Sequence, residues 1–202
     1  MNGVGEFIRL PAGSTENRAR AVAIVAERAR RGDLDAVVVA SLSGSTAVRV
    51  ARAMEGLPCR VICVADTPEW TRYGHPYPTL DPGCREELEA RGVRILRDYR
   101  STSAGAPRFD RETGRDVPLS AVEAALFWEG ITAVGGEGLK TAVKSVVLAT
   151  DYGLLRRGER VASLGGAGGR EAAVVMTALG HADLLSGAPG TRLRVAEILC
   201  LL

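Results

Sequence analysis

The stretch that decides the fold reads Val37-Val38-Val39-Ala40-Ser41-Leu42-Ser43-Gly44-Ser45-Thr46-Ala47. Its first half is a continuous apolar, β-branched run, which is typical of a buried strand in a parallel sheet. Its second half changes to hydroxyl residues around a glycine. A helical pattern follows and runs to Gly56, with an inward face made of Ala47, Val50, Ala51 and Met54. The chain is therefore predicted to pass from a central strand through a short loop directly into a helix.

This passage from strand to helix has the features of a phosphate site. The first backbone N–H groups of such a helix, and the positive end of its dipole, lie at the carboxyl edge of the sheet. Four hydroxyls accompany those donors, on Ser41, Ser43, Ser45 and Thr46. Gly44 is expected to let the backbone approach the anion, because a Cβ there would stand in the way. The alternative is that Ser45 only caps the helix, but one cap explains one serine, so we favour phosphate binding.

Composition sets the class of protein that we expect. A chain of 202 residues suits one α/β domain, spanning residues 1–202. Its 26 basic and 24 acidic residues nearly balance, which gives no footprint for nucleic acid. The N-terminus does not have the pattern of a signal peptide, and no apolar run reaches the length of a membrane span. We expect a cytoplasmic protein with neither a nucleic acid nor a membrane as its partner.

The cysteines and histidines indicate no metal centre. Cys59, Cys63, Cys84 and Cys200 form no C-x-x-C pair, and three of them lie inside apolar patterns. Buried thiols in a reducing compartment are the expected state. The chain has only two histidines, so we expect neither a zinc nor an iron site.

Helix and strand patterns alternate along the rest of the chain. The predicted helices follow Gly13-Ser14-Thr15-Glu16-Asn17, run from Asp81-Pro82 to Gly92, run from Pro118 to about Gly130, and run from Leu139 to Tyr152. The further predicted strands are 60–65, 93–96, 160–164, 172–178 and 192–201. Residues 1–12 are expected to be partly irregular, and residues 97–116 to form an exposed connection. The alternation with short connections predicts a doubly wound sheet.

The loop from Asp66 to Pro82 has neither a helical nor a strand period. It contains four prolines and the rings of Trp70, Tyr73, His75 and Tyr77. Aromatic side chains at the carboxyl end of a strand suit three roles. They cover a bound ring system, fill a subunit contact in a homo-oligomer, or pack on their own protein. The sequence leaves these three alternatives open.

Two later segments carry weaker signals. Lys140 and Lys144 lie one helical turn apart, where like charges repel by about a few tenths of a kcal/mol. An anionic ligand would explain the pair, and two solvated lysines are the default interpretation. The run Gly165–Arg170 permits a tight turn with bare N–H groups. It is not a G-x-G-x-x-G fingerprint, because the third position falls on Glu171, so a nicotinamide dinucleotide is not expected.

With these segments placed, the chain resembles the α/β domain at the C-terminus of pyruvate kinases, and more closely the free-standing archaeal and bacterial proteins of that type. The Ser41–Thr46 loop resembles the loop that holds the phosphate of the effector sugar in pyruvate kinases. The matching motifs of the free-standing group are Thr15-Glu16-Asn17, Gly136-Glu137-Gly138-Leu139-Lys140, Ala149-Thr150-Asp151-Tyr152-Gly153-Leu154 and Val161-Ala162-Ser163-Leu164-Gly165-Gly166. The likeness extends over nearly the whole chain. Two departures are Lys144, where the family tends to have an acid, and the longer, more aromatic loop from Thr67 onward.

The resemblance implies a three-layer αβα fold with a mostly parallel sheet. It implies a phosphate-bearing ligand, with flavin mononucleotide (FMN) as the leading candidate. The implied binding residues are Ser41, Leu42, Ser43, Gly44, Ser45, Thr46, Thr67, Lys140, Gly165 and Gly166. Pyruvate kinase activity does not carry over, because its chemistry needs a metal-binding barrel domain for which this chain has no room.

Three functions remain open at this stage. The first is a ligand-binding domain for a phosphorylated small molecule. The second is an enzyme of the sugar-phosphate isomerase kind, which would need a base among Glu137, His75 and His181. The third is a flavin-dependent oxidoreductase. No motif places a catalytic residue, so the first is favoured.

Overall fold

The structure, a computed structural model, describes residues 8–11, 14, 16–74, 76–99, 108–110, 115–117, 121–166, 168–184 and 193–201. Thr15, His75 and the predicted helix start at Pro118 lie outside these residues.

A mixed seven-stranded sheet forms the centre of the molecule. In chain order its strands are β1 (Ile8–Arg9), β2 (Ala36–Ala40), β3 (Arg60–Val64), β4 (Arg94–Leu96), β7 (Arg160–Gly165), β8 (Ala172–Thr177) and β9 (Val195–Leu201). Across the sheet the order is β1-β9-β8-β7-β2-β3-β4. Two further short strands, β5 (Arg108–Asp110) and β6 (Arg115–Val117), pair with each other as an antiparallel hairpin.

The direction of the strands is parallel in four pairings and antiparallel in two. The pairs β2–β3, β2–β7, β3–β4 and β1–β9 are parallel. Only β8 runs the other way among the strands of this sheet, because it is antiparallel to both β7 and β9. The predicted mostly parallel α/β sheet is therefore confirmed.

Helices cover both faces of this sheet and give the three layers. On one face lie α1 (Asn17–Ala29), α2 (Ser45–Ala53) and α3 (Pro82–Ala90), and on the other lies α4 (Ala121–Asp151). A single turn, α5 (His181–Leu184), follows β8. The central strand serves both cores, because Val37 and Val39 pack toward α1 and α2 while Ala36 and Val38 pack toward α4. This double burial explains the unbroken apolar run in the sequence.

The structure differs from the sequence-based prediction at four places. Residues 8–9, within the segment expected to be irregular, form the edge strand β1 on β9. The segment 97–116 contains β5 and part of β6. The helix expected to end near Gly130 continues to a break at Gly136, where φ is 72° and ψ is −178°, a conformation open only to glycine. His181 and Asp183, expected in a loop, lie on α5.

No helix among the described residues is both long and apolar enough to cross a membrane.

Candidate functional site

The topology brings three predicted loops to one edge of the sheet. The chain leaves the carboxyl end of β2 into α2 on one face, while α4 covers the other face and leads into β7, the other neighbour of β2. This reversal of direction at β2 and β7 is the topological switch point at which α/β sheets bind ligands. The loop 41–46 follows β2, Thr67 follows β3, and Gly166 follows β7, so all three lie at the carboxyl edge.

The Ser41–Thr46 loop already contains side-chain caps for the start of α2. The buried Ser41 hydroxyl accepts a hydrogen bond from the Thr46 N–H at 3.2 Å, and the exposed Ser43 hydroxyl accepts one from the Ser45 N–H at 3.5 Å. The Ser43 and Ser45 hydroxyls lie 3.1 Å apart. The first of these backbone donors is therefore well held, whereas the second has only a contact at the limit of hydrogen bonding. Two neighbouring hydroxyls and one weakly held N–H are available to a single oxyanion.

Gly44 has a packing role in the structure, and its expected role in letting the backbone approach an anion stays a prediction. It is the residue before α2 and has φ 84°, in the left-handed region. A Cβ there would lie 2.7 Å from Leu80 Cδ1 and 2.8 Å from Cys84 Cβ. The glycine is needed because the loop packs against the start of α3, and the space that a Cβ would take belongs to the protein.

The return of the loop 66–82 fixes the other side of the Ser41–Thr46 loop. The Asp81 N–H donates to the Ser43 carbonyl at 3.2 Å, and the Thr79 hydroxyl oxygen lies 3.3 Å from the Leu42 carbonyl oxygen. The loop itself is closed by Asp66, which is 1% exposed and accepts hydrogen bonds from the Thr79 N–H and hydroxyl and the Leu80 N–H. The main chain of Leu42 and Ser43 is thus held in place before any ligand binds.

The charge of Asp66 is stabilised in this position. Burial raises the pKa of Asp66, but the hydrogen bonds from Thr79 and Leu80, together with the Arg97 guanidinium 3.4 Å away, outweigh it and hold the pKa below its usual value. Asp66 is therefore an anion that anchors a loop, and it has no spare proton to use as an acid.

Thr67 lies beside this anchor, but its hydroxyl is already used. The residue is fully buried, and its hydroxyl donates to the Tyr99 carbonyl, next to the end of β4. The Tyr99 hydroxyl in turn donates to the Ala65 carbonyl at 3.1 Å. These bonds join the segment after β3 to the segment after β4. Thr67 therefore stabilises the backbone at this edge, and its hydroxyl is engaged within the protein.

The lysines on α4 have partners within the chain. The Lys140 ammonium lies 2.7 Å from a carboxylate oxygen of Glu137, which is more than half exposed. The Lys144 ammonium lies 5.9 Å from the centre of the Trp128 ring, at the distance of a cation–π contact. Exposed pairs of the Lys140–Glu137 kind contribute at most about 1 kcal/mol, so Lys140 remains able to change partner.

Gly165 and Gly166 lie where the main chain at the end of β7 approaches other main-chain segments closely. A Cβ on Gly165 would be 2.3 Å from the Ala142 nitrogen and 2.8 Å from the Gly138 carbonyl oxygen, both in α4. Gly166 has φ 116°, and a Cβ there would be 2.2 Å from the Arg170 carbonyl oxygen. Both glycines allow β7 and the turn after it to approach their own protein closely. Their role in approaching a ligand stays a prediction.

Sequence reasoning assigned no role to two polar residues at this edge. Asn17, fully buried at the start of α1, donates to the carbonyls of Pro11 and Gly169 at 2.7 and 2.9 Å. Glu171, 3% exposed, lies just before β8, and its carboxylate is 3.5 Å from the Arg18 guanidinium. The only available signal was that both stand beside motifs that had already been noted, the Thr15-Glu16-Asn17 run and the glycine turn.

His181 lies at the opposite edge of the sheet. Because β8 runs against its neighbours, it carries the chain away from the Ser41–Thr46 loop to the edge where the parallel strands begin. There His181, 1% exposed, pairs with Asp151 through both its backbone N–H and its Nδ1. His181 therefore cannot serve as a base for a ligand at the Ser41–Thr46 loop. Glu137 lies near the carboxyl edge, where that loop is.

An open apolar groove of about 410 Å³ lies between α4 and the start of β9, and its lining includes no residue of the Ser41–Thr46 loop. Its lining consists of apolar side chains and one glycine, among them Phe127, Ile131, Leu193 and Val195. Two residues of the lining, Leu126 and Val134, are 69% and 81% exposed. Its described lining has no side chain that could orient a phosphate. The homo-oligomer that the sequence left open as an alternative is not tested.

The fold and this edge together define a three-layer α/β domain with a hydroxyl-rich loop at its switch point. No protein-family model matches the chain. Among solved structures it is similar to a pyruvate kinase from Cryptosporidium parvum in complex with ADP, at 13% sequence identity and a TM-score of 0.38. That alignment covers 83% of this chain and 24% of the pyruvate kinase, so the chain spans about a quarter of the length of that protein.

Proposed function

We propose that the protein binds a phosphorylated small molecule, with the phosphate held by the Ser41–Thr46 loop. The observation that carries the proposal is the pair of neighbouring Ser43 and Ser45 hydroxyls, 3.1 Å apart at the start of α2. They lie where the helix dipole favours an anion and where the switch point opens the sheet to a ligand.

The internal caps of the loop are compatible with this role. A hydroxyl that accepts a neutral N–H bond at 3.5 Å is a weak partner for the Ser45 N–H. Hydrogen bonds to an ionised phosphate are about twice as strong as neutral ones, so a phosphate oxygen would replace Ser43 as the acceptor. The hydrogen of the Ser43 hydroxyl takes no part in this bond and would be donated to the same phosphate. The Ser41–Thr46 bond stays in place and keeps the start of α2 formed.

The carrier of the phosphate that we propose is of the FMN kind. FMN is the candidate that the resemblance implies, and the aromatic loop 66–82 starts and ends at the same edge as the phosphate loop. Lys140 would contribute a positive charge by exchanging Glu137 for the phosphate. Bound flavin would supply electron-transfer chemistry, so an oxidoreductase remains an alternative that a nicotinamide reduction assay separates from simple binding.

The isomerase alternative receives less support. Of its three candidate bases, His181 lies at the far edge, and Glu137 has Lys140 as its ion-pair partner. His75 lies outside the described residues. We therefore retain phosphate binding without a specified reaction as the proposal.

The test is a binding measurement with a double variant. Ser43→Ala combined with Ser45→Ala removes two donors to an anion, each worth about 1.5–3 kcal/mol, and should weaken FMN and ribose 5-phosphate binding at least tenfold by calorimetry. The matched control is Ser145→Ala, because that hydroxyl bonds within α4 to the Thr141 carbonyl at 2.8 Å. Equal affinities of the double variant and the control would overturn the proposal.

A further inference from the structure

Two buried oxygen atoms near the phosphate loop have no hydrogen-bond partner among the described residues. They are Asn17 Oδ1 and Glu171 Oε2, on side chains that are 0% and 3% exposed. Folded proteins seldom leave such atoms unpaired, since a buried acceptor without a donor is costly. Both atoms are acceptors, so the missing partner is a donor.

The orientation of Asn17 is fixed by its other atoms. Its side-chain nitrogen donates both hydrogens to main-chain carbonyls, those of Pro11 at 2.7 Å and Gly169 at 2.9 Å. Turning the amide over would place an oxygen against two carbonyl oxygens, so the oxygen must be the unpaired atom. Gly169 is two residues from Glu171, and the ion pair between Arg18 and Glu171 joins the same two segments. Asn17 and Glu171 therefore belong to one cluster.

The charge of this cluster favours a neutral donor over a cation. The Arg18 guanidinium already lies 3.5 Å from the other oxygen of Glu171 and balances its charge. A second cation at this buried position would add a charge that Glu171 no longer balances. No cluster of three or more His, Cys, Asp or Glu side chains suited to a metal ion occurs in the described part of the chain. A neutral N–H or O–H group, which brings a hydrogen without a charge, is the better partner.

The cluster lies at a distance from the phosphate loop that suits one ligand. Asn17 begins α1 and Glu171 precedes β8, so both are at the carboxyl edge. The strand β8 is two positions from β2 in the sheet, which is about 10 Å at the usual strand spacing. Between them lies the turn after β7, with positive φ at Gly166, Gly168 and Gly169. A ring attached to a phosphate through a short sugar-like chain spans such a distance.

We propose that Asn17 and Glu171 line the ring subsite of the phosphate ligand, and that the Glu171 carboxylate accepts a hydrogen bond from a ring N–H of the imide or lactam kind. This inference rests on the proposed phosphate binding. It selects flavin-like and uracil-like or hypoxanthine-like phosphates over sugar phosphates, which have no such N–H. Both oxygens are buried in the present structure, so this cluster has to open for the ring to reach them.

The sharpest test changes one atom of the ligand. Binding of FMN and of 3-methyl-FMN, in which a methyl group replaces the imide hydrogen, is measured on the full chain, with ribose 5-phosphate as the ligand without a ring. We expect 3-methyl-FMN to bind at least tenfold more weakly than FMN. The variant Glu171→Gln should weaken FMN at least tenfold and leave ribose 5-phosphate within about twofold. Glu16→Gln, an exposed carboxylate beside Asn17, is the matched control and should change neither.

The outcomes separate this inference from the function on which it rests. Ribose 5-phosphate binding that depends on Ser43 and Ser45, together with equal affinities for FMN and 3-methyl-FMN, would keep the phosphate site and overturn the ring subsite. In that case Asn17 and Glu171 hold a buried water. If neither ribose 5-phosphate nor FMN binds, both proposals fail. The methylated ligand needs no variant, so a poorly folding Glu171→Gln chain does not spoil the test.

Discussion

Replacing Gly44 with alanine tests how the phosphate loop is packed. The left-handed backbone at φ 84° costs a residue with a Cβ about 1–2 kcal/mol. The new methyl group would also lie 2.7 Å from Leu80 Cδ1 and 2.8 Å from Cys84 Cβ, inside van der Waals contact. Such crowding costs about 1–3 kcal/mol, so the sum is a loss of about 2–5 kcal/mol in the free energy of unfolding.

The matched control is Gly56→Ala. Gly56 has φ 78°, close to that of Gly44, but a Cβ there meets nothing within 4 Å. This variant therefore carries the backbone strain alone, about 1–2 kcal/mol. Urea unfolding of both variants against the parent chain gives the crowding as a difference, expected at about 1–3 kcal/mol. Equal losses in the two variants would refute the packing of the loop against Leu80 and Cys84.

Three further predictions concern the anchor, the charge network and the layers. Asp66→Asn should loosen the loop 66–82, because an amide has one acceptor oxygen and its NH2 group must face either the Thr79 and Leu80 donors or the Arg97 guanidinium. Faster cleavage of this loop in limited proteolysis checks this prediction, and unchanged cleavage contradicts it. Hydrogen bonding from Arg28 lowers the pKa of Asp33 to about 2. The stabilisation by Asp33 is thus complete above its unfolded pKa of about 3.9 and is lost as the pH falls toward 2. Arg28→Met should therefore reduce the loss of stability between pH 5 and 2, as measured by urea unfolding. A pH profile parallel to that of the parent chain would contradict this prediction. Gly165→Ala should cost more than about 3 kcal/mol or prevent folding, since its Cβ would meet the α4 main chain 2.3 Å away; a normal melting temperature would contradict it.

The central part of the fold could be predicted because its sequence signals are local. The run 37–40 is apolar on every residue, which only a strand covered on both faces requires, and Ala36–Ala40 is that strand. Asp81 followed by Pro82 predicted the start of α3, where the Asp81 side chain accepts from the Cys84 N–H at 2.9 Å. The positive φ of Gly92 marks the predicted end.

Other features depend on contacts that no local pattern contains. The strand β1 is two residues long and exists through its pairing with β9, nearly two hundred residues away. The break in α4 falls on Gly136 and not on Gly130, because tertiary packing decides which glycine leaves the helix. The reason for Gly44 was likewise hidden, since Leu80 and Cys84 reach it from α3.

The candidate site shows the same division. Its hydroxyl loop could be predicted, because strand, glycine and hydroxyls are consecutive in the sequence. Two hydrogen bonds could not be predicted, the one from Thr67 to the Tyr99 carbonyl and the one from Asn17 to the Gly169 carbonyl. Each joins segments that only the folded sheet brings together. The edge of the sheet at which His181 lies could not be predicted either, because it depends on the direction of β8.

The reversed direction of β8 has a consequence for how the two ends of the molecule can influence each other. The Asp151–His181 pair and the phosphate loop share no side chain, and β7, β8 and α4 are the elements that extend between them. We therefore expect a substitution at His181 to alter affinity at the Ser41–Thr46 loop only by displacing these elements. Chemical-shift changes along β7 and β8, compared between the two ends, would show whether the ends respond together.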